Sequence, residues 1–179
     1  MKEYLVKKGR RLVIREARSE DAQAMVEYMK QLATESDFLT FGSGELNITV
    51  EDEAKLIQSK EEAENQLMLC AFFEEELVGG LTFTSASRPR VRHTGEFGVT
   101  VLREYWGLGI ATELLKYLIE WAKEGQIIRK INLRVRSDHH SGISLYEKFG
   151  FTREGLETRG LCIEGKFYDF VNMGLMIGE

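Results

Sequence analysis

The stretch Gly107-Leu108-Gly109-Ile110-Ala111-Thr112 sets two glycines one residue apart at the mouth of a helical run. Glycine weakens helices and strands, so a pair of them here marks something the backbone needs. One such need is anion binding. A helix N-terminus leaves N–H groups unpaired and carries the positive end of the macrodipole, and glycines let a phosphate approach without meeting a Cβ. The other is a tight strand-to-helix turn whose small residues let the helix pack on a sheet. A G-x-G pattern alone leaves both readings open. Two better-specified phosphate motifs are excluded. No Gly-Lys-Ser/Thr follows Gly107 at P-loop spacing. Thr112 stands where a dinucleotide fingerprint needs its third glycine or alanine, and the next strand, KINLRVRSD, ends in a basic surround. Thiol and metal chemistry find little support. Cys70 and Cys162 each lie inside an apolar run and read as buried thiols in a reducing compartment. No zinc-ligand spacing is present, so no metal is expected.

The elements that must hold this loop follow from periodicity. RLVIREA (11–17) alternates apolar and charged residues as a half-buried strand does. SEDAQAMVEYMKQLATES reads as a helix with Ser19 as N-cap and Ala22, Met25, Val26, Met29 and Leu32 on one face. A polar, glycine-bearing loop, DFLTFGSGELN, leads to a second helix capped by Thr49. Three β-rich runs follow, LMLCAFF, LVGGLTFTS and TGEFGVTVL, with an acidic turn between the first two. The loop ASRPRVRH, which carries the chain's one proline, precedes the last of them. Ala111, Leu114, Leu115, Leu118 and Ala122 form the stripe of the helix after the glycines. KINLRVR is a strand, SGISLYEKFG a short helix closed by Gly150, and the remainder a hairpin turning at Gly165. The order β-α-α-β-β-β-α-β-α-β-β predicts one α+β domain on a central mixed, mostly antiparallel sheet.

Composition agrees with a folded domain: 179 residues, 43% apolar and 30% charged. A net charge of −5 argues against nucleic acid as the main partner and suits a cationic substrate, although solubility explains it equally well. No apolar run approaches the roughly 18 residues of a membrane span, and none at the N-terminus has signal-peptide length, so a cytoplasmic protein is expected.

Taken together, EFGVTV, YWGLGIATELL, KINLRVRSD and SLYEKFGF resemble the GNAT acetyltransferase superfamily in order and spacing. The motifs cover Glu96 to Phe151, and the N-terminal half agrees in layout. YWGLGIAT and the ending EGKFYDFVNMGLMI give the resemblance a ribosomal-protein and polyamine N-acetyltransferase flavour. It implies a single N-acetyltransferase domain over 1–179, with a cofactor-binding core at about 94–151. The family pattern Gln/Arg-x-x-Gly-x-Gly/Ala falls on Trp106 to Ala111. The resemblance therefore assigns Gly107, Leu108, Gly109, Ile110, Ala111 and Thr112 to the coenzyme A diphosphate, held by backbone amides. Trp106 departs from the pattern, having no cationic or amide side chain. Val99, Thr100 and Val101 would pair with the pantetheine arm as strand edges do, and N–H groups near Val99 would hold the oxyanion.

Tyr146 matches the family's general acid, a phenol able to protonate a departing thiolate. The competing account is a tyrosine packed between helix and sheet. Glu96 stands where members often carry a base, with His93 as substitute, and a solvated strand residue is the alternative. His139 and Gly142 replace the family's asparagine and alanine, and His139 is a candidate cofactor contact. The implied activity is acetyl-CoA-dependent acetylation of a primary amine by direct attack, on a small molecule or a protein N-terminus, with homodimers common in the family. The alternative is a non-catalytic acyl-CoA-binding module. Glu35, Asp37 and Glu45, near the expected substrate end, would attract a polycation or simply be solvated.

Overall fold

The computed structural model describes residues 2–6 and 10–178. Its elements run β1 (Lys2–Val6), β2 (Arg10–Glu16), α1 (Ala22–Glu35), α2 (Val50–Glu61), β3 (Leu67–Phe73), β4 (Glu76–Ser85), β5 (Thr94–Val101), α3 (Ile110–Gly125), β6 (Lys130–Arg136), α4 (His140–Lys148), β7 (Thr152–Ile163) and β8 (Lys166–Met176). They form one mixed sheet in the order β1-β2-β3-β4-β5-β6-β8-β7. Every pairing is antiparallel except β5 with β6, and the expected α+β architecture holds.

The strand β1 was not expected. Its five residues pair only with β2, and their alternation is too short to stand out in the sequence. The entry to α1 also differs from expectation. Ser19 does not cap it; Ser19–Asp21 form a 3-10 turn, and the Asp21 carboxylate accepts the Arg18 N–H at 2.7 Å. Asp21 also takes two Arg15 N–H groups at 2.7 Å each. Burial opposes the Asp21 charge, yet Arg15 and Arg18 hold its carboxyl below the usual carboxylate range. Thr49 caps α2 as expected, its hydroxyl accepting the Asp52 N–H at 3.1 Å.

Cross-strand register decides which face each residue serves. On β4, a Cβ at Gly79 would meet Ile110 of α3, whereas one at Gly80 would meet Tyr28 of α1. One face of the sheet is thus covered by α3 and the other by α1 and α2. Leu114, Leu115, Leu118 and Ala122 are buried on the first, as the helical stripe predicts. Cys70 is fully buried on β3, whereas Cys162 is exposed. The apolar run around Cys162 misleads because β7 is the terminal strand of the sheet and most of its residues face solvent.

Candidate functional site

β5 and β6 separate to make the cleft. They pair only from Thr94 to Glu96, opposite Lys130 to Asn132, while β5 runs on to Val101 and β6 to Arg136. Beyond Glu96 the two limbs form a fork. The Leu102 N–H bonds Val78 O on the β4 side at 3.0 Å. Strand alternation therefore turns the backbone of Thr100 toward β4 and those of Val99 and Val101 toward the fork. The Trp106 indole N–H donates to Val101 O at 2.7 Å, so the side chain that departs from the family pattern pins the end of β5. Of the three strand residues expected at the cofactor, Val99 and Val101 border the gap. Thr100 does not; its hydroxyl bonds the Tyr28 hydroxyl at 2.9 Å.

The glycine loop closes the open end of β5. Gly107 (φ +74°) and Gly109 (φ +93°) take left-handed backbone that side-chain-bearing residues resist, and a Cβ on either would enter open space. The Glu113 N–H to Gly109 O bond, at 3.1 Å, opens the helical ladder. The six preceding amides, Gly107 to Thr112, donate to no acceptor among the described residues. Ile110, buried beneath β4, anchors the turn. Six free N–H groups at a helix N-terminus, with no Cβ on either glycine, fit a diphosphate.

Two titratable groups flank the fork from opposite faces. Phe97 faces the α3 side, where Tyr146 of α4 packs edge-on against it at 5.8 Å and against Phe151 at 6.0 Å. Burial pushes the Tyr146 phenol up to about 12, so it keeps its proton at neutral pH. Its hydroxyl donates to no protein group, yet no fully buried side-chain oxygen lacks a partner among the described residues, so the oxygen keeps access to solvent. Glu96 points to the other face, at the vertex of the fork, with Arg134 Nε 3.2 Å away. His93 is exposed just before β5, and its carbonyl accepts the Arg129 N–H at 2.7 Å.

Sequence reasoning missed a strap across the fork's open end. Past β5, Arg103 donates its backbone N–H to the Glu35 carboxylate at 2.8 Å and its guanidinium to Glu35 O. At the end of β6, the buried Arg136 donates to Asp37 O at 2.7 Å and lies 4.2 Å from the ring centres of both Phe38 and Tyr168. His139 stacks on Phe38 at 4.1 Å, and a Cβ on Gly142 would sit 3.1 Å from its ring. The two departures from the family pattern are therefore one adjustment: glycine at 142 makes room for the imidazole at 139. Burial and the neighbouring Arg136 charge lower the His139 pKa, leaving the ring neutral. Glu35 and Glu45 spend carboxylate oxygens on backbone N–H groups (Glu45 on Gly42, 2.7 Å). No sequence signal joins Phe38 to Arg136 and His139, about a hundred residues away.

The sequence matches the Acetyltransferase (GNAT) family over residues 22–151, which is most of the chain. The chain belongs to that family. It is 31% identical over 104 residues to the L-amino acid N-acetyltransferase AaaT of Escherichia coli K12, a match covering 58% of this chain and 63% of that protein. The chain thus spans less than two thirds of the first curated relatives it matches. A GNAT-family acetyltransferase from Streptococcus pneumoniae superposes with a TM-score of 0.90 and 34% identity, over 93% of this GNAT chain and 99% of the other. The fold is shared by yncA, a putative acetyltransferase from Salmonella typhimurium solved with its cofactor acetyl-CoA. There the TM-score is 0.82 and the identity 20%, over 94% of this chain and 95% of that one.

Proposed function

We propose that this GNAT chain transfers an acetyl group from acetyl-CoA to a primary amine by direct attack, using one cofactor-binding core at about 94–151. The observation that carries the reading is the run of six unpaired amides from Gly107 to Thr112, placed between the fork and α3. These amides hold the diphosphate, and the open edge at Val99 and Val101 receives the amide-bearing pantetheine arm. Bound acetyl-CoA supplies an acetyl group already activated as a thioester. Tyr146, protonated and bonded to nothing else, donates to the sulfur as negative charge develops there. Glu96, on the opposite face, takes the proton from the incoming amine. Neither step requires a cysteine, and Cys70 is sealed in the core. The reading extends to self-association: β7 is an uncovered edge strand, and Leu156, Phe167 and Met176 are exposed on its hairpin with β8.

Thermal denaturation with acetyl-CoA, followed by thiol release across a panel of amines, tests the reading. Acetyl-CoA at about 100 times its Kd stabilises the fold by about 2.7 kcal/mol. Stabilisation with no thiol release on any amine would instead mark a binding module, and no stabilisation would remove the cofactor assignment.

A further inference from the structure

We infer that the acceptor amine carries its own carboxylate, as an α-amino acid does, with Arg134 reading the carboxylate and Glu96 the ammonium. This rests on the acetyl-transfer reading and specifies its acceptor.

The two groups sit together at the vertex of the fork, on the face covered by α1 and α2. Glu96 pairs in register with Asn132, and Asn132 Nδ2 donates to Thr94 Oγ1 at 2.8 Å, so Thr94, Glu96, Asn132 and Arg134 share that face. Arg134 lies between two acids, with Nε 3.2 Å from Glu96 and Nη1 3.7 Å from Glu157. All three side chains are between 43% and 49% exposed, so solvent and ligands reach them. Gly98 is the next residue on that face of β5, and a Cβ there would meet nothing within 4 Å. Room therefore exists beside Glu96.

Two neighbouring cations on this face, Arg136 and Lys60, are committed. Arg136 is buried and spends its donors on Asp138 and Asp37 O. Lys60 is buried against Gln66 and Thr84 at 2.7 and 2.5 Å. Arg134 Nη2 bonds no acceptor among the described residues, and the Nε and Nη1 contacts are exposed ones.

A zwitterion can enter this arrangement by exchange. Its ammonium takes Glu96 from Arg134, and its carboxylate takes the donors that Arg134 gives up. Charge is conserved, and a guanidinium presents paired N–H groups that match a carboxylate. A polyamine meets the opposite situation. Its second ammonium would have to displace or face Arg134, a like charge lodged between the two acids.

The test is kcat/KM at saturating acetyl-CoA for L-α-amino acids, their carboxamides and spermidine, with the intact chain and with Arg134→Gln and Arg134→Lys. Because hydrogen bonds to charged groups contribute about 1.5–3 kcal/mol, acids should exceed their amides by roughly 10- to 160-fold. Arg134→Gln should bring that ratio close to one by raising KM for the acids. Arg134→Lys, which keeps the charge and loses the fork, should recover part of it. Retained acetyl-CoA stabilisation confirms that each variant is folded. If amides or spermidine are acetylated as well as the acids, or Arg134→Gln leaves the ratio intact, the carboxylate assignment is overturned while acetyl transfer stands. If no amine is acetylated at all, both readings fall.

Discussion

Replacing Tyr146 by Phe removes one oxygen and little else. The edge-on contacts with Phe97 and Phe151 belong to the ring, which Phe retains. The hydroxyl makes no hydrogen bond to the protein, so none of the roughly 0.5–1.5 kcal/mol of a net internal hydrogen bond is lost. Stability should therefore change by well under the ~1 kcal/mol typical of point substitutions. Acetyl-CoA affinity should hold too, because the proposed diphosphate site is built from amides on a different element. Catalysis should not hold. With the phenol raised to about 12, full proton transfer to a thiolate of ordinary pKa about 8.5 runs uphill. In the proposed mechanism the hydroxyl would supply a hydrogen bond to developing charge, about 1.5–3 kcal/mol. That corresponds to a fall in kcat of roughly 10- to 160-fold. Thiol release under saturating substrates reads kcat, and melting curves with and without acetyl-CoA read the two controls. A kcat within twofold of the parent would take Tyr146 out of the chemistry, and a large loss of stability would show that its role is packing.

Two further outcomes follow from buried groups and from one close contact. Burial raises Cys70 from its ordinary 9 to about 12, Tyr146 from 10 to about 12, and Tyr28 upward as well. The unfolded chain therefore loses these protons first, and the stability they contribute is intact below pH 9 and lost as pH rises. Each group steepens the loss by up to about 1.4 kcal/mol per pH unit, so urea midpoints should fall from pH 9 upward, and Cys70→Ala should delay the onset to near pH 10. Flat midpoints to pH 11 would contradict this. Gly142→Ala places a Cβ 3.1 Å from the His139 ring, a contact that should offset the roughly 1 kcal/mol alanine otherwise gains over glycine within α4. In a His139→Asn background the shorter side chain relieves the contact, so the double-mutant cycle should show a coupling of at least about 0.5 kcal/mol, and additivity would refute it.

Much of this was legible because it is local. The paired glycines, a helix cap at Thr49 and alternation along β2 and β6 are each encoded within a few residues. The glycine loop was equally clear, although its choice between anion site and plain turn needed the unpaired amides and open space at Gly107 and Gly109 to weigh it. What stayed hidden is non-local. The fork depends on where β5 and β6 stop pairing, and KINLRVR carries no mark of that point. The strap joins Glu35 to Arg103 and Phe38 to Arg136 through contacts that charge and aromatic content alone do not predict. Cys162 was misplaced for a related reason, since an apolar run does not say whether its strand ends the sheet or lies inside it.

A structure of the intact chain with acetyl-CoA tests the central claim most directly. The account predicts the diphosphate within hydrogen-bond distance of the N–H groups between Gly107 and Thr112, with the pantetheine arm lying in the fork beside Val99 and Val101. A diphosphate bound elsewhere, with those six amides still facing water, would contradict it.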